Sequence, residues 1–282
     1  SPCEGGLVAH YLHDRDNRLS RVVLTDKLTI ETTTCQGVKL DLTDKAITPA
    51  EMPVVEGVIF VNAALSKVNL SVNPITGSKY KDGRKKRGVA EYDCDPSGFV
   101  ALLEAMKSST VAKLSISDCD IGPKGLMASA PLISVIPAMN EIRLDGNPIT
   151  GSKYKADGFG TRRKNYGVEE YDCDPSGLVA LLEAMKSSAV SKLSISDCDI
   201  GPKGLMTSAP LISVITALTE VNLSVNKCFD ADSAKALADV IPTSNIQTLV
   251  IGPEATVGTS ARIRRHVTRF FKSKLGVRVS SS

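Results

Sequence analysis

Pairs of apolar residues separated by one position recur along the chain, at Leu40/Leu42, Val68/Leu70, Leu114/Ile116, Ile142/Leu144, Leu193/Ile195, Val221/Leu223, Leu249/Ile251 and Val277/Val279. Such alternation marks a strand with one face turned inward. Five of the seven intervals between pairs are 28 residues; the other two, 46 and 51, read as the same unit carrying 18 or 23 extra residues. Between the pairs, ALLEAMKSS (101–109 and 180–188) and SAKALADVI (233–241) have helical spacing and strong helix formers. Asp95-Pro96-Ser97 and Asp230/Asp232 stand where helix caps belong. A strand followed by a helix at a fixed period predicts an α/β solenoid, with a parallel sheet on its concave side and helices on its convex side.

A longer copy is laid over that period. Residues 88–142 and 167–221 lie 79 positions apart and differ at nine of 55 aligned positions, from Ala90/Glu169 to Ile142/Val221. Around each apolar pair the pattern extends to LxxLxLxxNxL. It appears as Leu65-Val68-Leu70-Asn73-Ile75, Val111-Leu114-Ile116-Cys119-Ile121 and Met139-Ile142-Leu144-Asn147-Ile149. Val190-Leu193-Ile195-Cys198-Ile200 and Leu218-Val221-Leu223-Asn226-Cys228 continue it. This pattern resembles a leucine-rich repeat, and units of 28 residues with alternating Asn and Cys resemble the ribonuclease-inhibitor-like subclass. The resemblance covers roughly residues 37–282 and implies a horseshoe-shaped solenoid. Asn73, Cys119, Asn147, Cys198 and Asn226 would then form a buried structural ladder that satisfies the backbone of adjacent loops. The resemblance also implies a scaffold that binds proteins rather than an enzyme, although a fold alone does not fix a function.

The expected organisation is an N-terminal cap at 1–36, repeats at 37–259 with insertions at 78–95 and 152–174, and a basic C-terminal capping helix and last strand at 260–282. Leu19-Val22-Leu24 offers a possible strand in the first cap. Pro131 and Pro210 interrupt two helical stretches, which predicts helices that start late or kink.

Composition excludes several classes. Hydrophobic residues at 42% and charged residues at 23% suit a folded soluble domain, and no run approaches a membrane span. Seven irregularly spaced cysteines with three histidines argue against a zinc site or a disulfide framework, and point to the cytoplasm or another reducing compartment. No Ser/His/Asp set is apparent, and GPKG at 122–125 and 201–204 lacks P-loop spacing. No cofactor or metal is expected: Asp118/Asp120 and Asp197/Asp199 flank ladder cysteines, while Asp93/Asp95 and Asp172/Asp174 precede helices and read as caps. The net charge of +3 conceals a tail whose 22 residues (261–282) carry seven Lys/Arg and no acid, on a mildly acidic body. Ile263, Val267, Phe270 and Phe271 make this tail amphipathic, which suits an end cap and also peripheral contact with an anionic surface.

The insertions carry the candidate function. They hold five of the six tyrosines and begin basic and end acidic. Tyr and Arg dominate binding hot spots, and long loops on a rigid scaffold carry recognition. The candidate partner-binding residues are Tyr80, Lys81, Arg84, Lys85, Lys86, Arg87 and Tyr92 in the first insertion. In the second they are Tyr154, Lys155, Arg162, Arg163, Lys164, Tyr166 and Tyr171. The competing expectation is a hairpin that pairs its own charges and packs its tyrosines on the solenoid. In a larger assembly, the loops and tail would instead wedge between neighbouring subunits. Near-neutral totals argue against nucleic acid as partner, since phosphate binding needs surplus cation. The outward strand positions Asn69/Ser71, Ser115/Ser117, Arg143/Asp145, Ser194/Ser196 and Asn222/Ser224 offer no aromatic anchor, so the loop edge outranks the concave face.

Overall fold

The computed structural model describes residues 21–25, 28–31, 39–80, 89–154, 168–228, 230–251 and 278–280. Strands β1 (Arg21–Thr25) and β2 (Leu28–Glu31) form a separate antiparallel pair. The possible strand around Val22 and Leu24 therefore belongs to a hairpin and not to the parallel sheet. The repeats follow as β3 (Lys39–Asp41), helix α1 (Met52–Val61) and β4 (Lys67–Asn69). A first hairpin, β5 (Lys79–Tyr80) with β6 (Val89–Glu91), precedes α2 (Ser97–Met106), β7 (Lys113–Ser115), α3 (Pro123–Ile133) and β8 (Glu141–Arg143). A second hairpin, β9 (Lys153–Tyr154) with β10 (Val168–Glu170), precedes α4 (Ser176–Met185), β11 (Lys192–Ser194) and α5 (Pro202–Val214). The chain continues through β12 (Glu220–Asn222), α6 (Ala231–Val240), β13 (Thr248–Val250) and β14 (Arg278–Ser280).

Eight of these strands make one parallel sheet ordered as in the sequence: β3, β4, β7, β8, β11, β12, β13, β14. The insertions leave the register untouched, because Leu40, Val68, Leu114, Ile142, Leu193, Val221 and Leu249 stand side by side. Each is at most 6% exposed, so one buried column runs the length of the solenoid. The last step differs from the sequence expectation. Leu249 faces Val279 rather than Val277, so this unit is 30 residues long.

The rung residue of the turn after each strand is buried, and the peptide groups around it find partners in the ladder side chains. Asn147 Oδ1 accepts from the Cys119 and Ile121 amides (both 3.0 Å), and its Nδ2 donates to the Ile116 and Leu144 carbonyls (2.8 and 2.7 Å). Asn73 does the same for Lys45, Ile47, Leu42 and Leu70, and Asn226 for Cys198, Ile200, Ile195 and Leu223. The thiols of Cys119 and Cys198 donate to the Leu70 and Leu144 carbonyls at 3.3 Å. All five side chains are fully buried.

A second recurrence was not visible in the apolar pattern. The residue before each rung, Val72, Asp118, Gly146, Asp197 or Val225, has φ between 53° and 72°. Asp and Gly tolerate this left-handed step, whereas a β-branched Val is strained there. The helices also correct the expectation of a late start. Those containing Pro131 and Pro210 start on time, at Pro123 and Pro202. Both internal prolines are exposed, as are Met127 and Met206 four residues earlier, so the carbonyl that loses its donor lies on the solvent side.

The sheet face is a polar network. Ser71 bonds Ser115, Asn69 donates to Thr43, Ser194 and the Ser196 amide donate to Asp145, and Ser196 bonds Ser224. Each strand begins one residue before its apolar pair, which adds a charged column to the outward positions. In it, Lys113 pairs with Glu141 and Lys192 with Glu220.

Replacing Asn147 with Ala strands four buried groups and is expected to cost on the order of 3 kcal/mol in denaturant unfolding. Asn147→Asp should cost at least as much, since a carboxylate cannot donate to the two carbonyls. Conversely, Val225→Asn relieves the left-handed strain and should raise stability by about 1 kcal/mol.

Candidate partner-binding edge

Both hairpins leave the solenoid at the same place, just past an Asn rung, and each is anchored by the same set of bonds. In the first, Ser78 Oγ donates to the Asp120 carbonyl at 2.9 Å and accepts from the Asp93 amide at 3.1 Å. In the second, Ser152 Oγ donates to the Asp199 carbonyl at 2.8 Å and accepts from the Asp172 amide at 3.1 Å. The hairpin thus rests on the following unit rather than on its own. Two strand steps, roughly 10 Å, separate the roots.

The carboxylates at the hairpin exits complete the joint. Asp172 Oδ1 accepts from the Gly201 amide (2.9 Å) and Oδ2 from the Gly204 amide (2.7 Å), at the start of α5. Asp93 Oδ1 accepts from the Gly122 amide (3.0 Å) at the start of α3. These helices have glycine at their N-caps and no cap of their own, so a residue from the preceding unit supplies it. A Cβ on Gly125 or Gly204 would collide with the carboxylate. GPKG is therefore a seat for an aspartate. Asp93 and Asp172 cap the next unit's helix, not the helix that follows them in sequence. The latter helices are served by Asp95 and Asp174, which accept from the Ser97 and Ser176 amides at 3.1 Å. The left-handed backbone of Asp93 and Asp172 (both φ 55°) turns the carboxylate toward its seat.

The two copies differ in one respect. Both oxygens of Asp172 are in short amide bonds, whereas Asp93 Oδ2 has no such short partner and its carboxylate is held more loosely by the Gly125 amide and the Thr76 hydroxyl. Burial pushes Asp93 above the ordinary carboxylate range, against the pull of its amide bonds.

Of the candidate binding residues, Tyr92 and Tyr171 are half-buried at the roots, backed by Gly122 and Gly201. Burial, then the charges of Asp199 and Asp172, raises the Tyr171 phenol. Tyr80 and Tyr154 end the outgoing hairpin strands. Lys81, Arg84, Lys85, Lys86, Arg87, Lys155, Arg162, Arg163, Lys164 and Tyr166 lie outside the described residues, as does the tail helix. Each stem carries an exposed pair, Lys79–Glu91 at 3.5 Å and Lys153–Glu170 at 3.2 Å, of a kind worth little in water. Cys94 and Cys173 hold free thiols beside these pairs. Burial, then the bond to Glu170, keeps Cys173 protonated above its usual range, the opposite of an activated nucleophile.

The family model for the leucine rich repeat matches residues 107–128 and 187–207. No curated protein sequence matches the chain. Among solved structures, the chain is similar to leiomodin-1 actin-binding site 2 at 17% identity and a TM-score of 0.36, over 50% of this chain and 68% of that one. It is also similar to the tropomodulin C-terminal domain of Caenorhabditis elegans at 15% identity and a TM-score of 0.38, over 64% and 83%. Internalin C2 of Listeria monocytogenes is 13% identical, with a TM-score of 0.31 over 79% and 84%. Among the described residues, no helix is long and apolar enough to cross a membrane.

Asp172→Asn sets an amide donor against a glycine amide and is expected to destabilise the protein by about 2 kcal/mol. Asp93→Asn should cost less than Asp172→Asn at pH 7, because ionised Asp93 is itself disfavoured by burial. The folded state holds the Asp93 proton more firmly than the unfolded chain. The stability it contributes is therefore present below the unfolded value of about 3.9 and is lost as pH rises through the raised folded value. Urea unfolding of both proteins should show the Asn variant gaining on the parent from pH 4.5 to pH 7.

Proposed function

We propose that this leucine-rich repeat protein is a non-enzymatic scaffold for protein–protein interaction that grips its partner with two Tyr/Lys/Arg hairpins on one edge of the solenoid. The observation that carries this reading is the root built twice in the same way. A loop kept only as a spacer has no need of a serine, a buried aspartate and two glycines to fix its exit. Anchoring reduces the ordering cost of binding, which is what a recognition loop on a rigid frame requires. The chemistry at the edge fits the same reading, because its buried carboxylates are engaged with backbone amides and the Cys173 thiol is held above its ordinary range. Rungs that donate S–H to carbonyls need reduced cysteine, which supports a reducing compartment such as the cytoplasm. The alternating Asn and Cys rungs support the ribonuclease-inhibitor-like subclass.

Joining Tyr80 to Val89 and Tyr154 to Val168 through Asn-Gly turns removes both tips and leaves both roots. The shortened protein should fold with an unchanged thermal midpoint and fail to capture one specific partner that the full chain retains. Capture of the same proteins by both forms would overturn the reading. General loss of neighbours from a larger assembly would assign the hairpins to packing instead.

A further inference from the structure

The sheet face departs from its own repeat at one place. The three asparagine units read KVNLSVN (67–73), EIRLDGN (141–147) and EVNLSVN (220–226), so Arg143 stands where the flanking copies have Asn69 and Asn222. Those asparagines have a task. Their Oδ1 atoms accept from the amide two residues on, Ser71 at 3.1 Å and Ser224 at 3.0 Å. Other amides of the same row are also met by side chains on this face, Thr43 by Asp41, Ser117 by Ser71 and Ser196 by Asp145. Arginine carries no acceptor. Among the described residues, the Asp145 amide is therefore the member of this row that no side chain serves.

The arginine itself is held in place with its fork unused. Arg143 Nε donates to Glu141 Oε1 at 2.8 Å, and Lys113 donates to Glu141 Oε2 at 2.7 Å. Glu141 is buried and both its oxygens are occupied. The two terminal amino groups of Arg143 have no partner among the described residues, on a side chain 58% exposed.

We propose that the middle of the sheet face binds a carboxylate from an acidic segment of a partner protein, with its oxygens accepting from the Arg143 fork and the Asp145 amide. The carboxylate does there what the asparagine oxygen does in the flanking units. A planar fork takes a carboxylate through two parallel N–H···O bonds. Charge favours this ligand over a phosphate. Lys113, Arg143 and Lys192 are balanced by Glu141, Asp145 and Glu220. The surplus is Lys67, two strand steps or roughly 10 Å from β8, exposed and in no ion pair among the described residues. One monoanion at Arg143 and a second carboxylate near Lys67 suit that balance. The surface is the sheet and not the hairpin edge, so the proposal stands apart from the proposed function.

The test is a titration of the isotope-labelled full chain with end-blocked hexaglutamate at about 50 mM salt, followed by amide NMR. The Asp145 amide proton should move downfield to saturation, and end-blocked hexaglutamine should leave it in place. Arg143→Asn restores the residue of the sister units, so it should fold with an equal or higher thermal midpoint and bind at least about tenfold more weakly at the sheet face. Arg143→Lys keeps the charge without the fork and should lose about as much. Lys67→Gln should weaken binding about threefold. The protein with shortened hairpins should move the same amide equally, which separates failure here from failure of the edge reading. An Asp145 amide that hexaglutamate leaves unmoved overturns the proposal. So does full affinity in either Arg143 variant, or inorganic phosphate saturating the site at lower concentration than the peptide.

Discussion

The inward peptide groups of each turn lie between stacked units with buried partners, and the solenoid depends on satisfying them. Asparagine does this best because its amide offers two donors and two lone pairs on one short side chain. Each Asn rung serves two turns, its own and the one before it. Asn147 closes on Leu144 within its own unit and holds the Cys119 turn of the preceding one. Asn-Pro units need less help, since Pro74 and Pro148 carry no amide hydrogen, and Ile75 and Ile149 donate back to the Asn73 and Asn147 carbonyls. In the cysteine units the amides of Cys119, Ile121, Cys198 and Ile200 depend on the asparagine that follows. The alternation is thus an unequal exchange: each asparagine serves four backbone groups, and each cysteine thiol returns one bond to a carbonyl of the unit before it.

The same two-unit logic explains the hairpins. Each springs from an Asn-Pro unit and seats its carboxylate on the glycine-capped helix of the Cys unit behind it. The duplicated 79-residue block therefore joins a unit that donates a hairpin to one that receives it. The sixth helix, where no hairpin arrives, reverts to a local cap: Asp230 accepts from the Ser233 amide at 2.8 Å and donates its own amide to the Ser233 hydroxyl at 2.9 Å. A remote cap and a local cap solve one electrostatic problem at a helix N-terminus. Only the remote one ties an insertion to the body.

Donor and receiver also differ on the helical face. Helices of hairpin-bearing units expose the ion pairs Glu104–Lys107 and Glu183–Lys186, whereas those of receiving units expose Met127 and Met206.

The apolar period, the inward Asn/Cys position and the helix formers were legible in the chain because each is a local constraint repeated many times. A strand must alternate and a helix must space its apolar residues three and four apart. Other features could not be read that way. GPKG looked like a failed phosphate loop and Asp93 like a cap for the next helix in sequence, because nothing local shows that the carboxylate and the two glycines meet. The left-handed step at Val72 and Val225 was invisible for the opposite reason, since valine is a poor residue for that conformation and only the neighbouring units impose it. The sequence by itself determined that strands and helices would stack at a 28-residue step, since that depends on contacts between like positions of adjacent copies. Tertiary structure decided which residue of one unit completes the next, since a shared hydrogen bond between unlike positions leaves no period to detect.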